Sequence, residues 1–204
     1  MKDKEVIAKE AHYYWKAELP DLVWDAIIEE GERLNPEDAV IGTDKGYLNT
    51  KVRKSKTSWI NQNWLFKLLW EYVIEANRDA NWNYQLDRFE PLQYTTYEAP
   101  GSHYDWHIDH SEPFIEGNYK GLLRKLSVTV QLSNPEDYEG GGFEQMYLKK
   151  EIDGTLDKHI STLEEVASRG SILVFPGYIY HRVLPVSKGV RKSLVGWATG
   201  KPYV

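Results

Sequence analysis

Apolar positions along the chain change their period near residue 82, from helical spacing before it to strict alternation after it. Leu19-Pro20-Asp21 opens a stretch in which Leu22, Val23, Ala26, Ile27 and Leu34 recur at helical spacing. Gly31 or Asn35-Pro36 marks its end. A second helix is expected from Trp59 to Asn77, capped by Thr57 or Ser58. Trp64, Leu65, Leu68, Leu69, Tyr72, Val73 and Ala76 give it a broad apolar face. The polar stretch between the helices, with Gly42, Gly46, Lys51, Arg53, Lys54 and Lys56, reads as a solvated loop.

Beyond residue 82 the period of two predicts strands at 84–89, 93–98, 103–109, 126–133, 143–148, 171–175, 178–186 and 191–199. Ala99-Pro100-Gly101, Asn134-Pro135, Gly140-Gly141-Gly142, Pro176-Gly177 and Ser187-Lys188-Gly189 punctuate them as turns. Short strands so spaced predict a mainly β fold with flanking helices. Its core is a double-stranded β-helix, or jelly roll, over residues 82–204, and residues 1–81 form a helical support packed on one sheet. A single domain over 1–204 is expected. Leu126, Val128, Val130 and Leu132 form an apolar row suited to packing on the helices. Ser127, Thr129 and Gln131 must then face water or a functional cavity, and inside a jelly roll the cavity is the better candidate.

Composition narrows the function. A chain of 204 residues can bury one good core. A net charge of -6 argues against nucleic acid as a partner. Without cysteine there is no disulfide, iron–sulfur cluster or thiol nucleophile. The charged start (Met1-Lys2-Asp3-Lys4-Glu5) lacks the apolar core of a signal peptide, and no apolar run is long enough to span a membrane. The expectation is a soluble, cytoplasmic protein with no membrane partner.

In a strand, His107 and Asp109 share a face and can grip one ion, and His181 lies downstream in another strand. Two histidines and a carboxylate form the facial triad of non-haem Fe(II) sites. His-x-Asp by itself is a weak signal, and these ligands would also suit zinc. If Ser187-Lys188-Gly189 closes a hairpin, Pro185 pairs with Arg191, Val183 with Ser193 and His181 with Val195. Arg191 would then lie about 13 Å from His181 at ordinary strand rise. That span suits a five-carbon diacid chelating the metal at one end and meeting the guanidinium at the other. Ser193 can add a hydroxyl to the same carboxylate. His103 lies on a strand-like pattern and is set aside as a ligand. His110 is out of phase with the triad, and His12 and His159 have no partners in sequence.

With these residues in place, the chain resembles the Fe(II)/2-oxoglutarate-dependent dioxygenases, specifically the prolyl 4-hydroxylase-like group. The likeness runs from Gln93 to Thr199. It covers Tyr97 with Gly101, Tyr104-Asp105-Trp106-His107-Ile108-Asp109, Leu132-Ser133-Asn134-Pro135, Gly140-Gly141-Gly142-Phe143, Gly170, Phe175-Pro176, His181-Arg182-Val183, and Arg191-x-Ser193 with Trp197. The resemblance implies iron on His107, Asp109 and His181, and 2-oxoglutarate on Arg191 with help from Ser193. It also implies Tyr97 and Trp197 lining the cosubstrate pocket. Many relatives direct a tyrosine at the cosubstrate from the position where this chain has Gln131.

The implied reaction consumes O2 and 2-oxoglutarate, with ascorbate as a candidate reductant, and hydroxylates a C–H bond with succinate and CO2 as coproducts. A peptidyl proline of a partner protein leads as substrate. A small molecule or free amino acid is the alternative, since it would use the same site. A non-catalytic jelly-roll binding module is the alternative of another class. In the hydroxylase reading, the Lys51–Lys56 stretch becomes a flap over a polypeptide, and 111–123 a lid or a plain crossover.

Overall fold

The alternation between Leu126 and Leu132 is realised in strand Leu123–Gln131, which has a different environment on each face. Leu126, Val128, Val130 and Leu132 join Trp24, Ile27, Leu65, Leu69, Val73 and Ala76 in a core between the sheet and two helices. Each fully buried aliphatic side chain there stabilises the fold by about 1.5–3 kcal/mol. Ser127, Thr129 and Gln131 face away from that core. The same division holds in strand Ile172–Pro176: Ile172 and Val174 belong to the helix-side core, while Leu173 and Phe175 pack in a second cluster with Phe143, Val183 and Val186.

The computed structural model describes residues 10–16, 19–41, 46–110, 112–150 and 154–202. The charged start of the chain, Gly42 and Ser111 lie outside the described residues. Among the described residues the strands form two antiparallel sheets. The larger runs in the order Tyr13–Trp15, Ile172–Pro176, Leu123–Gln131, the second half of Tyr180–Gly200, Leu92–Glu98, Lys56–Ile60 and Glu37–Asp38. Arg88–Phe89 adds to it beside Ala198 and Thr199. The smaller sheet pairs the first half of Tyr180–Gly200 with Ser102–His107, Phe143–Lys150 and Tyr138–Gly140. Leu156–Thr162 and Arg53–Lys54 complete it. This is the expected jelly roll, with the helices on the outer face of the larger sheet. No helix among the described residues is long and apolar enough to cross a membrane.

Four local expectations are corrected. The second helix is Asn63–Asp79, not 59–77, because Lys56–Ile60 is a strand paired with Leu92–Glu98. Its alternation, with Ser58 and Ile60 buried and Trp59 exposed, has period two, and Thr57 and Ser58 cap nothing. Lys51–Lys56 is accordingly no free loop or flap: Arg53 pairs with Tyr104 in one sheet and Lys56 with Thr96 in the other. The expected strand at 84–89 shrinks to Arg88–Phe89. Most consequentially, Ser187-Lys188-Gly189 closes no hairpin, and Tyr180–Gly200 is one continuous strand of 21 residues. Register shifts between His181 and Val183, between Val183 and Val186 and between Val186 and Lys188 bend it from one sheet into the other. Gly189 takes φ +71° there, and a Cβ would lie 2.0 Å from the Asp137 carbonyl oxygen. The glycine that reads locally as a turn serves a bulge.

Gly31 does not end the first helix, which runs Asp21–Arg33 and stops before Asn35 at φ 50°. Its carbonyl accepts a 2.7 Å bond from Ser58 Oγ. A Cβ at residue 31 would lie 2.3 Å from Tyr94 Cγ, in a ring that is fully buried. Gly31→Ala therefore destabilises the protein by about 1–3 kcal/mol through overpacking, although alanine favours helix by roughly 1 kcal/mol. Urea unfolding measures this, and an unchanged or raised midpoint would contradict the packing.

Candidate metal centre and its cavity

His107 closes strand Ser102–His107, and His181 pairs with it from the adjoining strand. Asp109 lies just past the strand end, not within it, and its backbone N–H donates to the Gly177 carbonyl at 2.9 Å. The Pro176-Gly177 turn thus sets the carboxylate. The candidate ligand atoms of His107, Asp109 and His181 all lie within 4.8 Å of one another. His107 Nε2 is 3.8 Å from Asp109 Oδ1, and His181 Nε2 is 3.5 Å from Oδ2.

Both imidazoles are oriented by backbone. Nδ1 of His107 sits 2.8 Å from the Asp105 carbonyl, and Nδ1 of His181 sits 3.0 Å from the Ile179 carbonyl. A carbonyl only accepts, so each Nδ1 carries the proton and each Nε2 keeps its lone pair for a metal. Burial, and then His181, push the His107 imidazole well below its ordinary pKa, outweighing the opposing pull of Asp109. Burial pushes the Asp109 carboxyl up, but His181, His107, Arg124 and the Ser127 hydroxyl together hold it below its usual range. At neutral pH His107 is neutral and Asp109 ionised, the forms that bind a cation. Ser127 Oγ donates to Asp109 Oδ2 at 2.6 Å.

The triad opens on a cavity of about 40 Å³ between the sheets, lined also by Tyr97, Arg191, Ser193 and Trp197. Seven of the eight sequence-predicted site residues thus meet. The route differs from the expected one: Arg191 pairs with Tyr97, and Ser193 pairs with Thr95 and Gln131. Residues 181 and 191 would stand about 33 Å apart on a straight strand, and the bulges bring both to one cavity. Gln131 is the exception. It lines an adjoining cavity of about 240 Å³, shared with Arg191, where its amide donates to Tyr138 Oη at 2.8 Å.

Several lining residues lie outside the set expected from sequence. Arg53 is buried, its guanidinium 4.5 Å from the Tyr104 ring centre, and Tyr104 stacks on His107 at 3.5 Å. The basic run around Arg53 hides its alternation, though Ser55 and Arg53 are buried while Lys54 and Lys56 point out. Thr129 belongs to the polar row already legible between Leu126 and Leu132, and Phe143 and Phe175 pack around His181. Arg53 Nη2, Arg191 Nη1 and Trp197 Nε1 are buried and have no hydrogen-bond partner among the described residues. All three are donors, so the cavity as built fits an anionic ligand beside a cation on the triad.

Residues 92–199 match the family model described as the 2OG-Fe(II) oxygenase superfamily. A PKHD-type hydroxylase of Janthinobacterium sp. (strain Marseille) is 34% identical over 110 residues, which is 54% of this chain and 43% of that protein. The chain thus spans less than half the length of that curated relative. A Pseudomonas putida prolyl-4-hydroxylase superposes with a TM-score of 0.64 at 20% identity, covering 92% of each chain. A Trichoplax adhaerens prolyl hydroxylase, solved with a hypoxia inducible factor oxygen degradation domain peptide, gives a TM-score of 0.60 at 16% identity, covering 92% of this chain and 83% of the other. At these identities the structural likeness speaks to fold alone.

Ser127→Ala removes the hydroxyl bond to Asp109 and leaves every ligand in place. Metal affinity should fall by about tenfold or more. Calorimetric titration with Zn(II) reads this directly, and an unchanged affinity would mean that Ser127 does not tune the site.

Proposed function

Because the chain belongs to the 2OG-Fe(II) oxygenase superfamily, we propose that it is an Fe(II)- and 2-oxoglutarate-dependent hydroxylase acting on a peptidyl proline of a partner protein. The observation that carries this reading is the convergence on one cavity of the triad and a buried Arg191 guanidinium whose Nη1 has no partner among the described residues. In this reading His107, Asp109 and His181 hold the iron. Arg191 and Ser193 take the far carboxylate of 2-oxoglutarate, and Tyr97 and Trp197 form walls of its pocket. Residues 1–204 work as one domain. Bound iron, with the cosubstrate and O2, supplies oxidative decarboxylation to succinate and CO2 and one oxygen atom for a C–H bond. Ascorbate serves as reductant to keep the iron ferrous.

The protein contributes position, charge and dryness. Carbonyls of Asp105 and Ile179 fix the imidazoles, and Ser127 fixes the carboxylate. Phe143, Phe175, Val183 and Val195 exclude water around the cavity. The fixed charge of Arg191 favours a dicarboxylate over an uncharged oxo acid. The peptidyl-proline assignment draws support from the solved prolyl hydroxylases that share the fold, one of them holding a peptide.

Anaerobic protein with Fe(II) and 2-oxoglutarate should develop a weak visible charge-transfer band that is absent in His107→Ala. Under air it should release succinate and add 16 Da to a proline of a peptide captured from cell extract. No band and no succinate would overturn the enzyme reading. Succinate with the added mass on a free metabolite would overturn only the peptide assignment.

A further inference from the structure

The amide of Gln131 is oriented by its neighbours, with Oε1 buried and without a partner among the described residues. Its Nε2 lies 3.3 Å from the Ser133 carbonyl, which only accepts, so this end is the NH2 group. The same nitrogen donates to Tyr138 Oη at 2.8 Å. The phenol oxygen is therefore an acceptor in that bond, and its own proton is directed elsewhere. Among the described residues no acceptor takes that proton.

Tyr138 stands beside Arg191. Both line the 240 Å³ cavity adjoining the metal cavity, and Arg191 borders both. A Cβ on Gly141, at φ +64°, would lie 2.9 Å from Arg191 Cδ and 3.2 Å from Tyr138 Cε2. The bare backbone at Gly141 thus leaves room for the arginine stem and the tyrosine ring edge to share one small space. The guanidinium Nη1 is buried and has no partner among the described residues. A cation and an uncommitted O–H beside it make a two-point grip for a carboxylate. Glu164 also borders the larger cavity, but it sits exposed on the short helical turn Glu164–Val166.

The metal cavity measures about 40 Å³, and Arg191 lies on its border with the larger cavity. A five-carbon diacid that chelates a metal on the triad and reaches Arg191 ends at that border. We propose that Tyr138 is a cosubstrate-binding residue: its phenol O–H meets the distal carboxylate of 2-oxoglutarate alongside Arg191, and Gln131 is the positioning residue that holds the phenol oxygen. This rests on the 2-oxoglutarate-dependent reading above. It also gives Gln131 a role without a place in the metal cavity.

The test compares two ligands that differ only in the distal carboxylate, 2-oxoglutarate and 2-oxopentanoate, on the full chain loaded with redox-inert Zn(II). Affinities are measured by calorimetry for the wild type and Tyr138→Phe, a variant that removes one oxygen and keeps the ring. The expected result is a loss of about tenfold or more for 2-oxoglutarate in the variant, since bonds to a charged group are the strong ones. Affinity for 2-oxopentanoate should stay within twofold. Equal losses for both ligands would make Tyr138 merely structural, and no loss for either would remove it from the site. Either pattern overturns the proposal while the wild type still prefers the diacid. A wild type with no preference for the diacid would overturn the underlying cosubstrate reading itself, visible before any variant is made.

Discussion

The architecture of the site depends on one strand belonging to two sheets. Tyr180–Gly200 presents His181 to the smaller sheet and, after three register shifts and Gly189, presents Arg191 and Ser193 to the larger one. A metal-ligating imidazole and a carboxylate-binding guanidinium are thereby set by one backbone whose hydrogen bonds are taken up on both sides. Their separation is a property of ladder geometry and not of a mobile loop. Sites built on strands hold such spacing more precisely than sites built on loops.

The larger sheet shows what this arrangement costs and what offsets it. Its outer face is sealed by Leu126, Val128, Val130, Ile172, Val174 and Leu194 against the helices. Its inner face buries Ser127, Gln131, Arg191 and Ser193, with Trp197 among them. Each buried donor left without a partner costs roughly 1–3 kcal/mol, and three such donors border the metal cavity. The apolar outer layer carries that burden. The unsatisfied donors give the cavity its preference for an anion, so the loss of stability and the capacity to bind have one physical origin.

Much of the site is legible in the amino-acid sequence. Strand phase puts His107 with Asp109, and Arg191 with Ser193, on shared faces, while Tyr97 and Trp197 are legible only through the family resemblance. The polar row Ser127, Thr129, Gln131 follows from the same phase, and Ser127 proves to hold Asp109. Other features leave no such trace. Leu156–Thr162 is almost wholly exposed and so carries no apolar alternation to find. Arg53 is buried inside a run of basic residues that resembles a solvated stretch. Lys56–Ile60 is masked as helix because Trp59 extends the apolar face of the helix that follows.

By itself the sequence determined the side-chain chemistry and the face each side chain takes, since these depend on residue type and on a local period. Which strands lie side by side was decided only in the tertiary structure. Backbone N–H and C=O groups are nearly the same at every residue, so a ladder partner is chosen by long-range packing. That is why Ser187-Lys188-Gly189 has the local character of a hairpin turn and yet is a bulge in an unbroken strand. It is also why Gln131 can share the cavity-facing row and still come to rest against Tyr138 in the neighbouring cavity.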